Sequence, residues 1–285
     1  MLKSAEFELI WLLSALVIAF LLLRREHGSF AAVFRSSINW ITQKLFWTEL
    51  ARDAAWVFFG TFVVLLLTTY VSIYSYGNGA GHHGGIPGTI ASLNWRGPDR
   101  GQIALTGIWW QYIFVLLLVI AGDFGKFWIH RMMHRNDFLW RYHRVHHESV
   151  FLTPLSVNRS HPVMIFLFRW AMSIGGSLVG IPILYFFSFP VQPEKLQLFL
   201  TVLLSFYLAT IHLQHSHIWL SYGRVLDRVF VSPATHQIHH SQDPAHHNKN
   251  FGFIFSFWDA LFASAKFPDK KEKLTFGLPK ETPHS

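Results

Sequence analysis

Three short histidine clusters hold the chemistry this chain could perform: His130-Arg-Met-Met-His134, His143-Arg-Val-His146-His147 and His236-Gln-Ile-His239-His240. Each contains a pair four residues apart, which a helix places on one face. The second and third add a histidine three residues after their first, so three imidazoles leave a single helical turn. A transition metal asks this of a short segment: several nitrogen donors at about 2 Å, held on a rigid backbone. Together the clusters supply eight imidazoles. One four-coordinate ion cannot use them all, whereas two ions, each open at a position for oxygen, can. His27, His82-His83, His246-His247 and His284 lack this spacing and read as surface or loop residues.

The rest of the composition narrows the donor set and the solvent. The 285 residues include 18 histidines and no cysteine, which removes disulfides, thiolate metal sites and cysteine nucleophiles. A metal must then be held by imidazole or carboxylate, and imidazole suits iron, copper and zinc. Hydrophobic residues make up 51% of the chain and charged residues 14%. Soluble domains carry about 25% charged residues, so the shortfall points to a chain whose solvent is partly lipid. The net charge of +8, beside long apolar runs, reads as contact with anionic headgroups. No nucleic-acid-binding motif is present.

The elements that must position the histidines are membrane helices. Leu9–Leu23 is an apolar run that ends in Arg24-Arg25. It reads as a first span rather than a signal peptide, because the basic pair follows the run and no small-residue cleavage site is evident. Ala54–Ile73 is a second run and Ile103–Ala121 a third, separated by a Gly-, Asn-, Ser- and Pro-rich loop at 74–101. Val163–Phe187 is a fourth stretch, broken by Gly175-Gly176 and Pro182, and Leu196–Ile211 is a fifth. The expected fold is therefore an all-α integral membrane protein with four to five membrane helices and a cytosolic, helical, histidine-rich cap. Its expected division is 1–102 for the N-terminal helices and outer loop, 103–267 for the catalytic domain, and 268–285 for a polar tail.

Charge sets the orientation. Arg24, Arg25, Arg35, Lys44 and Arg52 lie between the first two runs, only Arg96 and Arg100 between the next two, and Arg131, Arg135, Arg141, Arg144 and Arg159 after the third. The positive-inside rule puts the first and third connections in the cytoplasm. Both histidine-rich segments, 130–161 and 212–247, then fall on the same side, as one shared site requires. The arginines interleaved with the histidines read as topology-setting charge in preference to a docking surface for an acidic electron carrier.

These residues resemble a known family. Asp123, the three clusters, Trp140, Pro233, Asn250-Phe-Gly252 and Trp258-Asp259 are similar in type, order and spacing to the fatty acid hydroxylase superfamily, which includes sterol desaturases and sterol methyl oxidases. The resemblance covers roughly residues 105–265. It implies a helical membrane fold capped by a cytosolic centre of two iron ions, with O2 as co-substrate. It implies electrons from a separate carrier, cytochrome b5-like or ferredoxin-like with a reductase. It implies one further ligand, His215, with His212 one turn earlier. His161-Pro162 resembles another recurrent feature, which in the family often continues with a glutamate two residues after the proline; this chain has Met164 there.

The resulting expectation is oxygen-dependent hydroxylation of a membrane lipid, of sterol or fatty-acyl type. His130, His134, His143, His146, His147, His215, His236, His239 and His240 are the expected metal ligands. Asp123, Asn158, His161 and His212 are expected to support them, Asp123 by accepting a ligand's outer ring N–H from two turns before His130. Three alternatives stand beside this reading. One is desaturation by the same oxidant. The second is a membrane zinc hydrolase, against which the absence of His-Glu-x-x-His speaks. The third is a metal transporter or storage protein, which would need more polar residues within its spans.

Overall fold

The computed structural model describes residues 103–278, the helical segment 47–55, and positions 29, 31, 32 and 35. The two N-terminal runs expected as membrane spans, the 74–101 loop, His27, His82-His83 and His284 lie outside the described residues, apart from Ala54 and Ala55.

Among the described residues three long helices dominate: α1 (Trp109–Arg135), α3 (Pro162–Phe186) and α4 (Pro193–Gln214). All three are long and apolar enough to cross a membrane. Their large side chains face outward: Leu178 and Ile181 are 72% and 68% exposed. An apolar helix that leaves such a face uncovered is suited to lipid. Between them lies α2 (Asp137–His147), and α5 (Pro233–His239) and α6 (Phe257–Leu261) follow α4.

Two extents differ from the sequence reading. The third apolar run does not begin as helix: Ile103–Ala104 forms a short strand, β1, parallel to β2 (Phe187–Ser188), with Ile103 opposite Phe187. The helix begins at Trp109 and runs without interruption through His130 and His134. Its 27 residues extend about 40 Å, longer than the roughly 30 Å of bilayer hydrocarbon.

The second difference is that Gly175, Gly176 and Pro182 do not break the fourth run; α3 passes through all three. The glycines serve packing instead. A Cβ on Gly175 would overlap the Ala121 carbonyl, and one on Gly125 would overlap the Ala171 carbonyl. The backbones of α1 and α3 thus touch, as small residues allow between membrane helices. This crossing seats Met164 and Phe168 of α3 against Met133 of α1 in one buried cluster. Lys126 of α1 donates to the Tyr207 hydroxyl of α4 at 3.1 Å and lies 3.9 Å from the Phe253 ring centroid. A cation in an apolar helix is thereby satisfied by α4 and the cap.

The cap is closed by loops rather than by more helix. Residues expected as a polar tail dock on it as far as 278: the Gln242 N–H donates to the Thr275 carbonyl at 2.9 Å, and Ser241 pairs with Phe276.

Candidate metal centre

The nine histidines converge on two adjoining clusters, formed by residues up to about a hundred positions apart. His130, His134, His143, His147 and His239 form one group, and His146, His215, His236 and His240 the other; within each, the ligand atoms lie within 4.8 Å of one another. The rings of His147 and His240 stack at 4.4 Å between centroids and join the two groups. The periodicity explains the division. In α2, His143 and His147 lie four residues apart and share the first group, while His146, off that pair's line, faces the second. In α5 and at its C-terminal cap, His236 and His240 take the second group and His239 the first.

The outer ring nitrogens settle the tautomers. His130 Nδ1 lies 2.8 Å from the Phe251 carbonyl and His239 Nδ1 2.8 Å from that of Lys249. His146 Nδ1 lies 3.1 Å from the Arg159 carbonyl and His215 Nδ1 2.9 Å from that of Ile211. A carbonyl only accepts, so each Nδ1 carries the proton and each Nε2 is bare in the neutral ring.

Two of those bare atoms face each other. His146 Nε2 and His215 Nε2 are 3.2 Å apart, and neither has a hydrogen to offer. His130 Nε2 is 3.0 Å from His143 Nε2, and His236 Nε2 is 3.0 Å from His215 Nε2. His239 Nε2 and His134 Nε2 are buried without any hydrogen-bond partner. Lone pairs aimed at one another at such distances repel unless a cation lies among them. The donor set therefore fits a pair of metal ions. Two nitrogens bound at about 2.1 Å stand about 3.0 Å apart at a right angle and about 3.4 Å apart at the tetrahedral angle. The shortest Nε2 separations, 3.0–3.2 Å, are of that size.

Burial keeps these rings neutral. Desolvation is the largest cause, and it holds His143, His146, His147, His236 and His240 well below the usual imidazole range, with neighbouring histidines adding to it. His215 and His239 are pushed down to about 4 by the same burial, partly opposed by their hydrogen bonds to Ile211 and Lys249. Neutral imidazole is the ligating form.

Four residues expected to support the ligands stand differently. Asp123 takes no histidine. Its carboxylate accepts the Ile254 and Phe255 backbone N–H groups at 3.0 and 3.2 Å and Trp258 Nε1 at 3.2 Å. It lies seven residues below His130, and the 254–258 strand of loop fills that level. It therefore anchors the loop whose Phe251 carbonyl receives His130. Asn158 is exposed at the end of a short turn; the neighbouring Arg159 carbonyl meets His146 instead. His161 caps α3, accepting from the Val163 N–H at 3.1 Å, and lies against Tyr142 rather than the centre. His212 Nδ1 donates to the Pro154 carbonyl at 2.6 Å and joins neither group. His246, read as a loop residue, pairs with Glu272 at 3.3 Å, outside both groups.

The other motif residues build the same loop. Asp259 accepts the Phe251 and Gly252 N–H groups, both at 2.8 Å. Asn250, at a positive φ of 57°, ties Thr235 of α5 to Lys266. A Cβ on Gly252 would overlap the Phe255 carbonyl, so only glycine passes there. Trp140 covers His134 and His147 at 5.1 and 5.4 Å between centroids.

This arrangement accords with comparison to known proteins. A family model for fatty acid hydroxylases matches residues 115–264. The chain belongs to the fatty acid hydroxylase family. It is 25% identical over 173 residues to an alkylglycerol monooxygenase of Xenopus tropicalis, covering 60% of this chain and 32% of that one. It is 28% identical over 171 residues to the ornithine lipid hydroxylase OlsE of Rhizobium tropici, covering 59% and 47%. It is 28% identical over 164 residues to a probable Delta(7)-sterol 5(6)-desaturase of Neurospora crassa, covering 57% and 41%. The chain thus spans a third to a half of the length of these relatives. No solved structure matches it.

Two supporting residues of this family member escaped the sequence reading. Glu49 and Asp53, both fully buried, grip Arg159: its Nη2 lies 2.7 Å from each carboxylate, and its Nε is 2.9 Å from Asp53. Thr153 and Ser156 also donate to Asp53. Arg159, counted above as topology-setting charge, is thus buried and paired, with its carbonyl on His146. Two acidic residues four apart, in a chain so poor in charge, were the available signal. Met164, noted in the sequence as standing where the resemblance implies a glutamate, places its Sδ 3.2 Å from His143 Nδ1.

Proposed function

We propose that this chain hydroxylates an unactivated C–H bond of a membrane lipid at a di-iron centre held by the nine histidines. The observation that carries the reading is the convergence of nine imidazoles in two adjoining groups, in one of which the bare Nε2 atoms of His146 and His215 face each other at 3.2 Å. A group of five imidazoles exceeds the four ligands of a structural zinc site, and an all-imidazole donor set suits iron. Neither group includes a carboxylate that could serve a hydrolase as base. Bound iron supplies the activation of dioxygen that removal of hydrogen from such a carbon demands.

The residues of the chain do the rest. The carbonyls of Phe251, Lys249, Arg159 and Ile211 hold four rings in one tautomer and one orientation. Phe168, Phe251 and Phe253 wall His130 with ring centroids at 5.8, 5.7 and 5.1 Å, which excludes water and offers an apolar surface to a lipid chain. Hydroxylation consumes one O2, two electrons and two protons, and yields an alcohol and one water. With no cysteine and no haem or flavin motif in the chain, the electrons come from a separate carrier, of cytochrome b5 or ferredoxin type. The centre sits at the cytoplasmic face, where the arginine-rich connections lie. The named relatives include a sterol desaturase, so loss of a second hydrogen to give an alkene is the second reading.

The test combines metal analysis with product analysis. The purified protein is expected to hold about two iron ions per chain, and lipids of cells expressing it under 18O2 to gain one labelled oxygen. Lipids short of two hydrogens and without label would establish desaturation instead. Zinc in place of iron, with turnover indifferent to oxygen, would overturn the proposal.

A further inference from the structure

The segment 222–230, between α4 and α5, has no part in holding the histidines, yet it is rigidly built. Arg224, Val225, Leu226, Arg228 and Val229 are all exposed, Val225 by 76%. The buried carboxylate of Asp227 holds the turn from inside, accepting the Ser221 hydroxyl and the Tyr222 N–H. The Phe230 N–H donates to the Leu226 carbonyl at 2.8 Å. Isolated exposed aliphatics need no explanation, but three on one braced turn with two arginines among them do.

Hydrogen bonds fix how deep this turn lies. The Ser256 N–H donates to the Val229 carbonyl and the Val231 N–H to the Ile254 carbonyl, both at 3.0 Å. Ile254 and Phe255 donate in turn to Asp123 of α1. The Val229 end of the turn is therefore tied to the segment that Asp123 holds. Exposed Trp109 and Trp110 at one end of α1 and exposed Trp128 near the other have the character of interfacial aromatics. At 1.5 Å per residue they stand about 28 Å apart, close to the roughly 30 Å of bilayer hydrocarbon. Asp123, five residues below Trp128, is then about 7 Å inside that boundary. Chain tied to this level and facing outward meets acyl carbon and headgroups, and aliphatic side chains flanked by arginine are suited to that boundary.

We propose that the 222–230 turn inserts Val225, Leu226 and Val229 into the leaflet next to the metal centre, with Arg224 and Arg228 on anionic headgroups. The inference rests on α1 crossing the bilayer, and not on the identity of metal or reaction. It gives the cap a membrane contact besides its helices. α5, which carries His236 and His239, begins three residues beyond the turn and is held at the bilayer surface by it.

The chain contains no cysteine, so one substitution gives a single labelling site. The full-length protein carrying Val225→Cys, and separately Leu226→Cys, would be labelled with an environment-sensitive fluorophore and placed in phosphatidylcholine vesicles with or without phosphatidylglycerol. Nitroxide lipids labelled near the top or the end of the acyl chain, and aqueous iodide, serve as quenchers. The expected result is blue-shifted emission, strongest quenching by the shallow nitroxide, at least threefold protection from iodide relative to Lys270→Cys, and a deeper position with anionic lipid. Iodide quenching equal to that of Lys270→Cys would overturn the insertion. So would shielding from both quenchers with cysteine cross-links between chains, which would assign the turn to a second copy. Leu117→Cys, midway along α1, reports the premise separately: without quenching there by the deep nitroxide, the membrane reading of α1 is what fails.

Discussion

The two histidine groups use the same ligand chemistry but are braced from different parts of the chain. The five-histidine group takes its supports from the cap: the Phe251 and Lys249 carbonyls, on a loop held by Asp123, Asp259 and Asn250. All of these lie within the stretch that the family model matches, 115–264. The four-histidine group takes one support from its own helix, the Ile211 carbonyl, and the other from Arg159, which Glu49 and Asp53 grip from outside that stretch. Similar ligand sets can thus rest on unequal foundations. The first group is a property of the family domain, whereas the second depends on a segment about a hundred residues away.

The sharpest test of this contrast removes ligands. His239→Ala deletes a first-group donor and His236→Ala a second-group donor, and we expect each to abolish turnover, by at least about a thousandfold, if both ions are required. Metal analysis should separate them, with His239→Ala losing iron chiefly from the five-histidine group and His236→Ala chiefly from the other. Membrane insertion should survive in both, because neither side chain touches lipid. Retained turnover in both variants would dissolve the proposed centre altogether.

The second test attacks the unequal foundations directly. Asp53→Asn leaves the Arg159 guanidinium buried and half paired, a change that costs about 3–5 kcal/mol in buried ion pairs. It frees the Arg159 carbonyl to drift from His146. Loss of such outer support lowers metal affinity by about 10- to 100-fold. Iron content is therefore expected to fall from about two towards one per chain, while Asp123→Asn weakens the five-histidine group instead. Equal loss from both groups in both variants would show that the braces stabilise the fold and not particular ions.

Proton competition comes next in size. His215 and His239, one from each group, have their pKa values pushed down to about 4, whereas an unfolded imidazole titrates near 6.5. Between about 6.5 and about 4 the unfolded chain binds protons that the folded one refuses, so stability is full above that window and falls as pH drops through it. Each unit costs about 1.4 kcal/mol for each such histidine. Thermal unfolding of the metal-free protein, followed from pH 7.5 to 5, is expected to move steadily to lower temperature. A flat profile would mean that these rings are hydrated.

How much of this was legible in the sequence follows from what each feature is made of. The ligands were legible because their spacing is local: four residues along a helix is one face, whatever the fold around it. Tyr222 and Asp227 show the opposite case, since nothing in Tyr-Gly-Arg-Val-Leu-Asp announces a braced turn. The supports were illegible for a plainer reason: a backbone carbonyl has no letter. Phe251, Lys249 and Arg159 serve through oxygens that every residue owns, and only the path of the loop selects them. Asp123 was singled out as acidic near a histidine, but its partners are N–H groups some 130 residues away. Gly175-Gly176 and Pro182 read as breaks because soluble helices avoid them, yet a membrane helix tolerates them where a neighbour crosses closely.

The finest test lies within the five-histidine group. His143 Nδ1 has Met164 Sδ as its partner at 3.2 Å, and a thioether accepts a hydrogen bond weakly. His130 and His239 donate to carbonyls at 2.8 Å, so His143 is the least firmly oriented of the three and the least basic towards its metal. Met164→Glu would offer a carboxylate from the same position. Placed on the Nδ1–H it should raise the basicity of the ring and tighten metal binding at the five-histidine group by up to about tenfold. The same carboxylate, buried beside Met133 and Phe168, has a desolvation cost that works against folding. The bound metal can offset that cost, so the variant should be less stable than the parent without iron and closer to it with iron. Competition with a chelator measures the first effect, and unfolding with and without iron the second. Weaker metal retention in Met164→Glu would show that the thioether is matched to this centre, and that His143 is oriented by α2 alone.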